Sequence, residues 1–272
     1  MAGGSLCDES AMASRKRPAP SSSADHVADL RAQLDALGNP ERAVQEKRYL
    51  KSELEFLGVG MPGLRKVAKA FVRAHALDHK ELLTLTRALW AHEVHELRAL
   101  AVGILELKVE QLSAADLPAL IALVREAKTW ALVDWIATKV IGPLSDDPKA
   151  RKQIDKWARD DDFWVRRTAL LCHHDALLQG QGDFDHFARM AVPMLSETEF
   201  FIRKAIGWVL RSTAKRTPQR TYAFVEKHAR ELSGLSFREA TRALSPAQQK
   251  KLAALRGSTG PVRAQKTART KR

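Results

Sequence analysis

The sequence predicts an all-α fold, a single α-solenoid of stacked helical repeats with a concave basic groove. Three observations predict it. Nearly every segment between residues 26 and 255 spaces its apolar side chains as a helix does. No segment alternates with period two over a useful length, so no sheet is expected. And one helical pattern recurs in register along the chain, as it does when each unit buries its apolar face on the next.

The elements follow in chain order. Val27, Leu30, Leu34 and Leu37 recur at helical spacing, and Gly38 stops the run. Asn39-Pro40 reads as an N-cap with proline in the first turn, a signature repeated at Asp147-Pro148 and Thr217-Pro218. Gly58, Gly60 and Gly63 mark a loop ahead of the helical run LRKVAKAFVRA. Ser113 and Asp116 form a capping-box pattern before Leu117, Leu120 and Leu123. Asp160, Asp161 and Asp162 read as loop and N-cap residues before FWVRR. Roughly a dozen helices of ordinary length fit between these breakers.

The repeat is carried by HELRALAV (95–102), ALVDWIAT (131–138), FWVRRTAL (163–170) and FFIRKAIG (200–207). Aligned on one column, Arg98, Asp134, Arg166 and Arg203 fall together at spacings of 36, 32 and 37 residues. The preceding position is Leu97, Val133, Val165 or Ile202, and three places on stand Ala101, Ala137, Ala169 and Ile206. Arg98, Arg166, Arg167, Arg203 and Lys204 are therefore expected to form a ridge along one surface, suited to a phosphate backbone. The alternative is that these side chains only solvate an exposed helix face.

Composition bounds the function. The 272 residues carry a net charge of +13, which points to a polyanionic partner, nucleic acid before membrane surface. Residues 256–272 contribute +6 and residues 1–25 none, so the body (26–255) keeps +7 of its own. Both ends read as disordered extensions, the second a basic tail. Cys7 and Cys172 are the only cysteines, which excludes a disulfide scaffold or four-cysteine zinc module and suits a reducing cytoplasm. No secretory leader and no apolar stretch of membrane-spanning length is present.

One repeat breaks the pattern with Asp134 where the others have arginine. Trp130 lies four residues before it on the same helix face, and Trp208 lies four residues after Lys204. A carboxylate among cations needs a partner or a task, and Arg167 or Arg166 of the next repeat is the expected partner. Two readings stand: a structural ion pair between repeats, or a carboxylate held beside a nucleic-acid backbone to stabilise developing positive charge, assisted by indole faces. The adjacent His173 and His174 point in different directions on a helix and lack a completing ligand set, so a surface or packing role rather than metal binding is expected. Trp90, Trp157 and Trp164 are expected in the core, and Cys172 as a small buried hydrophobe.

TWALVDWIA (129–137), FWVRRTALL (163–171) and EFFIRKAIGWVLR (199–211) together resemble the DNA alkylation repair family of AlkD-like glycosylases, as does RYLKSELEFLGVGMPGLRKVAKAF (48–71). The resemblance runs over about residues 26–245. It implies HEAT-like repeats and excision of cationic N3- or N7-alkylated purines from duplex DNA. No metal or organic cofactor is expected, a monomer is the simplest expectation for a solenoid that wraps DNA, and the expected location is a bacterial-type cytoplasm, with the protein nucleoid-associated when on DNA. The resemblance implies Asp134 as catalytic carboxylate, Trp130 and Trp208 against the deoxyribose, Arg167 on the backbone nearby and Tyr49 facing DNA. It also implies that the base is released without full extrusion. The alternative is a non-catalytic nucleic-acid-binding module of the same architecture; a protein-scaffold solenoid is a third reading.

Overall fold

The structure, a computed structural model, describes residues 22–257. Helices α1 (Ser23–Leu37), α2 (Pro40–Leu50), α3 (Met61–Ala74) and α4 (His79–Trp90) lead to α5 (His95–Leu107), the first helix of the recurring pattern. Next come α6 (Leu117–Glu126), α7 (Trp130–Trp135), α8 (Pro148–Trp157) and α9 (Phe163–Leu171). Then follow α10 (His174–Leu178), α11 (Phe184–Ala191), α12 (Phe200–Ala214), α13 (Pro218–Lys227), α14 (Gly234–Thr241) and α15 (Pro246–Gly257). Among the described residues there is no strand, only an isolated bridge between Glu55 and Val94.

The caps are those the sequence announces. Asn39 accepts from the Arg42 amide, Asp147 from those of Lys149 and Ala150, and Asp162 from that of Trp164. Ser113 and Asp116 close a reciprocal capping box at a short 3₁₀ turn leading into α6. Thr217 differs: its hydroxyl donates back to the Thr213 carbonyl instead of capping α13. The helical body extends slightly past its expected bounds. Ser22 and Asp25 form a capping box for α1, ahead of the expected boundary at 26, and α15 continues past 255. The rest of both expected extensions, including Cys7, lies outside the described residues.

The recurring helices α5, α7, α9 and α12 pack side by side in that order, with α3 before α5 and α14 after α12. Helices α4, α8 and α13 back onto α5, α9 and α12. This is the solenoid row: each apolar column of the sequence repeat is buried between neighbouring units. Leu97, Val133, Val165 and Ile202 are buried, as are Ala101, Ala137, Ala169 and Ile206.

The arginine ridge is not formed as expected. Arg98 is only 5% exposed, its Nε donating to the Trp90 and His92 carbonyls and its Nη1 to that of Glu126. Arg166 donates to the Asp160 and Asp161 carbonyls and makes a two-point pair with Glu197. Arg203 donates to the Glu197 carbonyl at 2.6 Å. Each folds back onto the turn that precedes its own helix, satisfying carbonyls that the preceding helix leaves open. The register repeats because the turn repeats.

Candidate functional site

Asp134 stands where that clasp is missing. It projects from α7, a helix of six residues that continues as a π-helical turn over Ile136–Ile141. Such turns insert an extra residue per turn and recur at functional sites. The Thr138 hydroxyl on that turn donates to the Asp134 carbonyl at 2.8 Å.

Asp134 is 8% exposed and its partner Arg167, from α9, is 2% exposed. Arg167 Nε donates to Oδ1 at 2.7 Å and Nη2 to Oδ2 at 2.7 Å, a two-point pair. The remaining Nη1 donates to the Phe201 carbonyl, and the guanidinium lies 5.6 Å from the Phe201 ring centroid. Burial pushes the Asp134 carboxyl above the ordinary aspartate value, while the Arg167 hydrogen bonds and the nearby His174 act in the opposite sense.

Two cavities meet at Asp134. The larger, about 790 Å³, is lined by Tyr49, Lys51, Trp130, Asp134, Arg167 and Trp208 among others. The second, about 440 Å³, shares Trp130, Asp134 and Trp208 and opens towards Arg65, Lys139 and His174. Asp134 therefore borders two open spaces, and the Trp130 and Trp208 indoles line both.

Each wall is held. Tyr49, at the end of α2 and 71% exposed, meets the Trp130 ring edge-on at 5.8 Å. Trp208 lies against the His174 ring at 4.5 Å. His174 is locked in turn, its Nδ1 to Asp175 at 2.7 Å and its Nε2 to Ser212 at 2.9 Å. His174 is thus a packing and orienting side chain, as its lack of a ligand set suggested. Burial pushes its neighbour His173 down to about 3. No group of three or more potential metal ligands occurs among the described residues.

The structure gathers Asp134, Trp130, Trp208, Arg167, Tyr49 and Lys204 at one cleft and places Arg98, Arg166 and Arg203 in turn-clasping roles. It adds residues that sequence reasoning missed. Phe200, 56% exposed, and Phe201 line the larger cavity. So does Trp164, expected in the core; the indole is half-buried and packs at 4.7 Å on Phe201. The paired aromatics FW and FF one turn ahead of Arg166 and Arg203 were the available signal. Arg211 and Lys128 also line it. Lys51 and Lys128, at its edge, both adopt left-handed backbone conformations, φ 50° and 55°. For a residue with a side chain that costs about 1–2 kcal/mol.

The DNA alkylation repair enzyme family matches residues 30–244, most of the chain. The chain belongs to that family. Among solved structures it is similar to a predicted DNA alkylation repair enzyme from Enterococcus faecalis, with 25% identity and a TM-score of 0.67, over 77% of this chain and 97% of that one. It also shares its fold with AlkD2 from Streptococcus mutans, at 15% identity and a TM-score of 0.55, over 86% of this chain and 97% of that one. No curated protein sequence matches it. Family membership makes DNA alkylation repair the setting in which this member's cleft is to be understood. No helix among its described residues is long and apolar enough to cross a membrane.

Proposed function

We propose that this family member is a DNA glycosylase hydrolysing the N-glycosidic bond of cationic N3- and N7-alkylated purines in duplex DNA. The observation that carries the reading is a single buried carboxylate, Asp134, held at two points by Arg167 and opening into a cleft lined by two indoles, Trp130 and Trp208.

The chemistry follows from the charge of the substrate. An alkylated purine cation is already a good leaving group, so no general acid is required. What remains is to stabilise an oxocarbenium-like sugar and to orient water. An ionised carboxylate serves the first by electrostatics and the second by accepting a hydrogen bond. Indole faces add attraction as positive charge moves onto the sugar. One carboxylate then suffices where ordinary glycoside hydrolases use two. Tyr49 and Lys204 are the proposed DNA contacts at this cleft, Arg167 being 2% exposed and taken up by Asp134 and the Phe201 carbonyl, and the cleft's open form suits base release without full extrusion. Arg98, Arg166 and Arg203 are not carried into this proposal, because each guanidinium is engaged with carbonyls.

The test is release of free base from methylated duplex DNA by the wild-type protein and by Asp134→Asn. Release by the first and not the second supports the reading. DNA binding by both with release by neither supports the non-catalytic module.

A further inference from the structure

Glu239 is a carboxylate behind two cations of this cleft, and nothing in the proposed chemistry uses it. It comes from α14 and reaches the same face of α12 that carries Trp208. Lys204 Nζ donates to its Oε1 at 2.7 Å, and Arg211 Nη1 donates to its Oε2. Lys204 and Arg211 both line the larger cavity, while Glu239, half-buried, lies behind them and outside that lining.

This placement depends on Gly207. A Cβ there would stand 2.5 Å from the Glu239 Cβ and 3.1 Å from the Ser236 Cα. With glycine at that position α14 lies hard against α12. Lys204 is three residues before Gly207 and Arg211 four after, so both project beside the contact and Glu239 falls between them. Burial raises the Glu239 carboxyl, but the Lys204 hydrogen bond and the Arg211, Lys204 and Arg242 charges outweigh it and leave it below the usual glutamate value. It is therefore an anion held behind the cations of a cleft read as the seat of a polyanion.

We propose that Glu239 is a built-in counter-ion that holds Lys204 and Arg211 in check, so that the pair presents one net positive charge to the DNA backbone instead of two. This rests on the reading that the cleft takes duplex DNA. Phosphate has to compete with Glu239 for the two cations, and the cleft holds DNA less tightly than its cation content alone dictates. A repair enzyme that must leave undamaged and processed duplex gains turnover from such restraint.

The experiment is salt-dependent binding to an undamaged duplex, which requires no excision and stands whatever a base-release assay gives. Glu239→Gln keeps the shape and removes the charge. Its affinity is expected to rise at least about threefold at low salt, with the log–log salt slope steeper by about one. Glu239→Asp, which keeps the charge, should stay near wild type. Lys204→Gln/Glu239→Gln, which restores the net charge, should return the slope to the wild-type value. Arg211→Gln, with Glu239 intact, should make the slope shallower by about one. Lower melting of Glu239→Gln with unchanged DNA affinity and slope makes Glu239 only a tie between α14 and α12 and overturns the proposal. An unchanged slope in Arg211→Gln overturns it too, and that variant serves if Glu239→Gln does not fold.

Discussion

Arg167 reaches back one repeat to hold Asp134 with two parallel hydrogen bonds of 2.7 Å, while its third nitrogen is fixed by the Phe201 carbonyl of the next repeat. Three consecutive units of the solenoid thus meet in one side chain. The carboxylate is oriented by stacking of repeats, not by its own helix.

Asp134→Asn keeps the shape and loses the charge. Single-turnover base release is expected to fall at least about 100-fold, with DNA binding retained. Stability also falls, because the amide nitrogen cannot accept the second Arg167 hydrogen bond, by on the order of 1–3 kcal/mol. Unaltered release at lowered stability would make the pair purely structural.

Arg167→Lys separates charge from geometry. Lysine keeps the cation but cannot hold both carboxylate oxygens in a planar pair. Its single-turnover rate should fall well below wild type. Arg167→Ala leaves Asp134 buried without a partner and should cost about 3–5 kcal/mol in denaturant unfolding.

Acidification should switch activity off through Asp134. The proposed chemistry needs the ionised carboxylate, and burial raises its folded-state value above the ordinary one. Base release should therefore fall on acidification at a pH above that of an ordinary aspartate. The stability linkage has the opposite sign. A raised carboxyl binds protons better in the folded state, so its contribution is fully present at low pH and is lost as pH rises through the folded value. Activity should thus decline on acidification without this group unfolding the chain, checked by excision rate and circular dichroism across the same pH series.

His174→Ala tests whether Trp208 must be held. Removing the ring packed 4.5 Å from Trp208 leaves the indole free to reorient. The excision rate should drop roughly tenfold, as misplacement of a reacting group does, while duplex affinity changes little. An unchanged rate would remove His174 from any orienting role.

Arg98→Ala should behave as a fold variant. Three carbonyls lose their donor, at a cost of about 1–3 kcal/mol each way the site relaxes. The salt slope of DNA binding should not move. A shallower slope would return Arg98 to the DNA-facing surface.

Much of this was legible from residue spacing. The apolar columns around Leu97, Val133, Val165 and Ile202 identified the packed row, because burial between repeats imposes the same pattern on each helix. The exception at Asp134 and its pairing with Arg167 were legible for the same reason: a carboxylate in an arginine column needs a cation, and the following repeat carried one. The arginine column itself misled. Arg98, Arg166 and Arg203 recur in register as phosphate ligands in a groove would, but they recur because every unit has the same turn to close. Trp164 misled in another way, since an indole beside a core position leaves no mark in the sequence of which side of the helix it takes.

The sequence by itself determined the helices, their caps, the repeat period and the residue types at the cleft, because these depend on local propensity and on the periodicity of burial. Only the tertiary structure decided which charges are free. Arg98 closing its own turn, Arg167 reaching back to Asp134 and Glu239 crossing over Gly207 to two cations are all settled by contacts between segments distant in sequence. A side chain's charge is written at its position, but whether solvent or a ligand can reach that charge depends on what the fold brings beside it.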